Sequence, residues 1–99
     1  KSMAYNIISS SETEDDIDKA VQYYLTIDKT LAKQFLAELK AVKIYIANNP
    51  EKIQVRYKKI RVAFLKKFPY GIHFVVKKNQ IFIIAVFNTS DNPAKWNDR

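Results

Sequence analysis

Lys66-Lys67-Phe68-Pro69-Tyr70-Gly71-Ile72-His73-Phe74, followed by the apolar run from Ile81 to Phe87, decides the fold. After Pro69 the pattern alternates. Tyr70, Ile72, Phe74 and Val76 point one way, while Gly71, His73, Val75 and Lys77 point the other, the period of a half-buried strand. Lys78-Asn79-Gln80 reads as a hairpin turn in which Asn79 can take positive φ. Ile81 to Phe87 is apolar on both faces, so it is expected at the centre of a sheet. Upstream, Ile60, Val62 and Phe64 repeat with period two against Lys59, Arg61 and Ala63. Short connections make these three strands an antiparallel meander.

The first half of the chain has the helical period instead. Tyr5 to Ser9 reads as a short strand. Ser11-Glu12-Thr13-Glu14 then has the form of a capping box, Ser11 accepting from the Glu14 amide. Glu12, Glu14, Asp15, Asp16 and Asp18 fill the first turns, where the helix dipole favours acids. Ile17, Ala20, Val21, Tyr24 and Leu25 form one apolar stripe. Asp28 can cap a second helix whose stripe is Leu31, Phe35, Leu39, Val42 and Ile46, widened by Ala32, Leu36 and Ala41. Asn48-Asn49-Pro50 must end it, since the residue before proline leaves the helical region. The expected fold class is α+β, a helix hairpin packed on a mostly antiparallel, twisted sheet of about four strands. One domain over residues 3–96 accounts for the pattern; Met3 reads as the natural start, leaving Lys1 and Ser2 outside it.

Composition narrows the chemistry. Residues 1–52 carry seven Lys/Arg and eight Asp/Glu, a net of −1, whereas residues 53–99 carry ten against two, a net of +8. A charge excess confined to one half suits an anionic partner. The chain has no cysteine, hence no disulfide, thiolate nucleophile or Cys-based zinc site, and no metal-ligand spacing elsewhere. Gly71 is its sole glycine, which excludes a glycine-rich phosphate-cradling loop. The longest apolar run, Ile81 to Phe87, falls far short of the about 20 residues that span a bilayer, and no secretory signal opens the sequence. A soluble cytoplasmic protein without metal or cofactor is expected.

The alternation places Lys59, Arg61, His73 and Lys77 on one sheet face, with Lys66 and Lys67 just before the turn. This set is the candidate surface for a target or nucleic acid; the same lysines also suit a solvated face that protects edge strands. His73, the only histidine, is a candidate general base, with Arg61 as its cationic companion. Tyr57 is the one tyrosine whose spacing leaves it free for base stacking.

The order of elements resembles the RelE/ParE superfamily of toxins from type II toxin–antitoxin modules. The likeness runs from about Met3 to Trp96. It rests on Ala47-Asn48-Asn49-Pro50, Ile60-Arg61, Phe68-Pro69-Tyr70-Gly71-Ile72, and Ala85-Val86-Phe87 leading to Asn92-Pro93-Ala94-Lys95-Trp96. Trp96, by the same resemblance, seals the core edge. The resemblance implies a toxin neutralised by a cognate acidic antitoxin. ParE-like members poison DNA gyrase without hydrolysis, and RelE-like members cleave mRNA on the ribosome. RNA-cleaving relatives commonly place arginine where this chain has Gly71, and related sequences often read His-Thr-Ser-Arg where it has Asn88-Thr89-Ser90-Asp91. Asparagine cannot shuttle a proton, and Asp91 reverses a charge. The expectation is therefore a ParE-like toxin of the plasmid-stabilisation type. A ribosome-dependent mRNA endonuclease working through Arg61, His73 and the lysines, and a degenerate non-toxic binder, are the alternatives.

Overall fold

The structure, a computed structural model, describes residues 5–91 together with Pro93 and Trp96. The expected start at Met3, with Lys1 and Ser2 before it, and the Asn92, Ala94 and Lys95 positions of the closing motif lie outside the described residues. In chain order the elements are β1 (Asn6–Ser9), α1 (Ser11–Leu25), α2 (Lys29–Asn48), a 3-10 turn at Pro50–Lys52, β2 (Val55–Tyr57), β3 (Ile60–Phe64), β4 (Tyr70–Lys77) and β5 (Gln80–Asn88).

The two helices form the expected hairpin, with one cap displaced. Ser10, not Ser11, caps α1: its backbone is extended (φ −76°, ψ 162°) and its Oγ accepts from the Thr13 N–H at 3.1 Å. The shift is set by Thr13, which is fully buried and donates its hydroxyl proton to the Ile83 carbonyl at 2.9 Å. With that proton committed, the 2.9 Å contact between the two hydroxyls has Ser10 donating to Thr13. A Ser11–Glu14 box has no such tie to the sheet. Asp28 caps α2 as expected, Oδ1 accepting from Thr30 N–H at 2.9 Å. Asn49 closes that helix before Pro50 opens the 3-10 turn.

The sheet has five strands in the order β1-β5-β4-β3-β2, one more than the sequence suggests. β1 runs parallel to β5, and the remaining pairs are antiparallel. β5 is interior, between β1 and β4, as its apolar faces require. The extra strand, β2, is three residues long and pairs irregularly with β3, too short to show a period. In the β4–β5 hairpin Lys78 (φ 55°) takes the left-handed conformation expected of Asn79, because pairing of Lys77 with Gln80 leaves only Lys78 and Asn79 to turn. Lys58 (φ 51°) does the same between β2 and β3.

A bulge divides β5. His73 pairs with Ala85 and Phe74 with Ile83, so Ile84 is the additional residue. Ile81, Ile83 and Val86 face the helices, while Ala85 and Phe87 are buried away from that core. Helix α1 claims the backbone groups at the bulge: Thr13 and the Ser10 N–H both donate to Ile83 O, and Asp16 Oδ2 accepts from Val86 N–H at 3.0 Å. Under the hairpin Tyr24, Phe35, Phe68 and Tyr70 pack edge-to-face or tilted, with ring centroids 5.0–6.2 Å apart.

β3 is turned over relative to expectation. Ala63 pairs with Ile72 and joins the helix-side core, while Val62 and Phe64 lie across from Gly71 on the opposite face. Directly paired residues of antiparallel strands share a face, so Arg61, paired with Phe74, is also helix-side. The reversal follows from the β3–β4 register, which sets Ala63 opposite the helix-side Ile72 and Val62 opposite His73. Thr13→Val keeps shape and removes the donor to Ile83 O. It is expected to cost about 1–3 kcal/mol, measurable as a lower urea midpoint with unchanged denaturant slope.

Candidate functional site

The sheet face away from the helices is not an open cationic surface. His73 is only 1% exposed. Its Nδ1 is 2.8 Å from the Tyr57 hydroxyl, and the rings of Tyr57, Phe87 and Trp96 surround it at centroid distances of 5.8, 5.1 and 4.8 Å. Trp96 also stacks on Tyr57 at 5.3 Å. Burial raises the Tyr57 phenol pKa above its ordinary value. Tyr57 is thus spent on covering His73 and is not a free stacking platform. Trp96 closes this small second core, in keeping with the sealing role expected of it.

Gly71 belongs to the same layer. A Cβ there would lie 2.8 Å from Val62 Cγ1 and 3.2 Å from Phe64 Cδ1. No side chain fits until those neighbours move, so the position can present no cation. Asn88 is equally committed: its Oδ1 accepts from the Ser90 N–H at 2.8 Å and stands 2.6 Å from Ser90 Oγ, building a turn after β5.

The cations segregate into two groups. Lys59 and Lys77 are exposed, and with Lys58 and Lys78 they occupy two hairpin turns that the β3–β4 register brings to one end of the sheet. Lys66 and Lys67 are exposed in the β3–β4 loop at the other end. Arg61 stands apart from both. Its Nη1 donates to the Ile53 carbonyl at 2.6 Å, tying the segment after the 3-10 turn to β3. Of the predicted site residues, then, the structure brings together Lys59 with Lys77, and Lys66 with Lys67. It withdraws Arg61 into a structural contact and His73 into a core, so neither sits on the open face the alternation assigned to it.

What the alternation missed is a groove of about 690 Å³ between α2 and the β2–β3 edge. Val42, Ile53, Val62 and Ala63 line its floor, Tyr45 and Phe64 stand as half-exposed walls, and Lys52, Arg56 and Lys66 mark the rim with Glu38. The Arg56 guanidinium lies 5.3 Å from the Phe64 ring centroid, a cation–π contact. Tyr45 was the available signal: a large aromatic on α2, one position off the buried stripe, lining the same groove as the outward Phe64. Among the described residues no group of His, Cys, Asp and Glu could hold a metal, and no helix is long and apolar enough to cross a membrane.

Two helices packed on a mostly antiparallel, five-stranded open sheet, with basic hairpin ends, define an α+β domain of the ParE/RelE type. A solved structure described as the chromosomal ParDE TA system from P. aeruginosa superposes with a TM-score of 0.76, covering 90% of this chain and 100% of that chain at 17% identity. Residues 7–93 match the family described as the ParE toxin of the type II toxin–antitoxin system parDE, and the chain belongs to that family. No curated protein sequence matches it.

Two substitutions test the covered face. Gly71→Arg is expected to lose about 1–3 kcal/mol through overpacking against Val62 and Phe64, seen in chemical denaturation. Tyr57→Phe removes the bond to His73 and should cost about 0.5–1.5 kcal/mol near neutral pH. A phenol pKa raised by folding leaves stability unchanged while both states are neutral. Above the ordinary value of 10.0 the unfolded chain ionises first and stability falls. Denaturant melts taken across that range should fall less steeply in Tyr57→Phe than in the wild type.

Proposed function

We propose that the chain acts as a toxin by binding and blocking a macromolecular target such as DNA gyrase, without hydrolysing it, and that a cognate acidic antitoxin neutralises it. The observation that carries this reading is the sealing of His73. A ribosome-dependent nuclease needs a base that reaches a 2′-hydroxyl and cations aimed at the developing phosphorane charge. Here the only imidazole lies under Tyr57 and Trp96, Arg61 holds a backbone carbonyl, and Gly71 has no room for a side chain. The exposed lysines at the two ends of the sheet remain, and these suit binding. Either target would place the activity in the cytoplasm.

The groove and the adjoining β2 edge supply the antitoxin's place in this reading. β2 is an edge strand, and an extended acidic segment can pair with it while seating apolar side chains between Tyr45 and Phe64. Screening should weaken the complex as salt rises. The Asn88 turn supports a second reading, a non-toxic binder of the same fold, since the position that carries a titratable group in many relatives is used here for chain reversal.

Induction of the toxin should inhibit gyrase supercoiling and leave no codon-specific cuts by primer extension. Cuts that vanish in an otherwise folded Arg61→Lys variant would promote the nuclease instead. A null result in both assays would favour the non-toxic binder. Replacing Lys59, Lys67 and Lys77 together by Glu should abolish growth inhibition while changing stability by no more than about 0.5 kcal/mol per site. Full toxicity in that folded triple variant would remove the lysines from the target surface.

A further inference from the structure

Glu38 joins the groove to the β3–β4 loop. From α2 its Oε2 accepts the Lys66 N–H at 2.6 Å, and its Oε1 accepts the Lys67 N–H at 3.1 Å. Two successive backbone donors aimed at one anion form a nest. Among the described residues Glu38 is also the only carboxylate lining a groove otherwise rimmed by Lys52, Arg56 and Lys66.

We infer that this nest is a carboxylate receptor, filled by Glu38 in the free chain and by an acidic side chain of the neutralising partner in the complex. The inference rests on the proposed antitoxin-binding groove and names its contact. An acidic segment entering the groove meets the Glu38 charge as repulsion. If Glu38 swings away, the two amides lose their acceptor, and leaving them unpaired beneath a bound segment costs their full desolvation. A carboxylate from the segment removes both penalties. The nest stays satisfied, and three rim cations are left to pair with the partner's remaining charges. Room for the swing exists: the same side chain also lines a second concavity of about 320 Å³, with Gln34, Ala37 and Lys67. The planar two-oxygen geometry already seated on the amides favours a carboxylate over a phosphate as the incoming group.

The test follows the Lys66 and Lys67 amide signals by two-dimensional NMR. In Glu38→Ala, sodium acetate should shift both amides saturably; in the wild type it should not. A folded Glu38→Ala protein whose amides ignore acetate overturns the proposal. Tighter saturation by inorganic phosphate than by acetate overturns it as well, by making the nest a phosphate site. A capped heptapeptide alternating Glu with Leu and Phe should bind Glu38→Ala roughly tenfold more tightly than wild type, the order of one charge-assisted hydrogen bond. Glu51→Ala, which removes one negative charge beside Lys52, controls for net charge; an equal gain there sinks the exchange. Should Glu38→Ala fail to fold, Glu38→Gln, which loses the charge but keeps one acceptor, carries the peptide measurement with the same expected direction. Failure of the toxin to form a complex with its co-expressed antitoxin would sink the groove reading. A complex that forms while the amides stay silent sinks only the nest.

Discussion

The fold hangs on one extra residue in β5. Ile84 breaks the ladder opposite His73 and Phe74, and the backbone groups at the break are taken up by α1: Ile83 O by Thr13 and the Ser10 amide, Val86 N–H by Asp16. A helix laid on a sheet by apolar contact alone could slide; one that also satisfies buried backbone groups has a single position, because each lost partner leaves a desolvated donor or acceptor. The same bulge reverses the alternation of β5, sending Ala85 and Phe87 to the face where His73 lies. The helix register and the second small core therefore have a common origin.

That second core explains why the sheet carries little chemistry on its helix-free face. Phe87 and Trp96 enclose His73 from two sides, Tyr57 holds its Nδ1, and Val62 and Phe64 fill the space a side chain at Gly71 would need. Aromatic cover and an absent Cβ are mutually dependent: a long cationic side chain at Gly71 would have to displace β3 residues. The cations are left at the turns, where backbone reversal exposes them. Lys58 and Lys78 even adopt left-handed backbone there, a conformation that a residue with a Cβ enters at a cost of about 1–2 kcal/mol relative to the right-handed one.

Both helices, the Asp28 cap, the break at Pro50 and the three-strand meander were legible in the sequence because each rests on local periodicity or a local stop signal. Apart from the short β2 and the Lys78 turn, the failures are non-local. The Ser10 cap is selected by Thr13 reaching a carbonyl 70 residues away, which no window along α1 contains. β3 carries small and large apolar residues on both faces, so its period shows that it is a strand but not which face meets the helices. Arg61 and His73 alternate as surface residues do; what withdraws them is the β3 register with the Ile53 carbonyl for Arg61, and for His73 the cover of Tyr57, Phe87 and the distant Trp96. The family resemblance came from the order of motifs, while the groove came from juxtaposition alone, with the off-stripe Tyr45 as its only trace in the sequence.

The division of the positive charge constrains how such a toxin could be neutralised. In the proposed function the antitoxin occupies the groove, which runs from Lys66 at one end of β3 to Arg56 near the other, where Lys58, Lys59, Lys77 and Lys78 gather. β3 has five residues, and its four steps of about 3.3 Å separate its ends by roughly 13 Å. That distance exceeds the Debye length of about 8 Å at physiological ionic strength, so an anion held at the Lys66 end of the groove screens the hairpin lysines only weakly. Neutralisation by charge alone would then leave half of the cationic surface active. A segment running along the β2 edge removes the difficulty. About six extended residues cover the length of β3, so one strand can seat an apolar anchor at the groove and still carry acids to the hairpin turns.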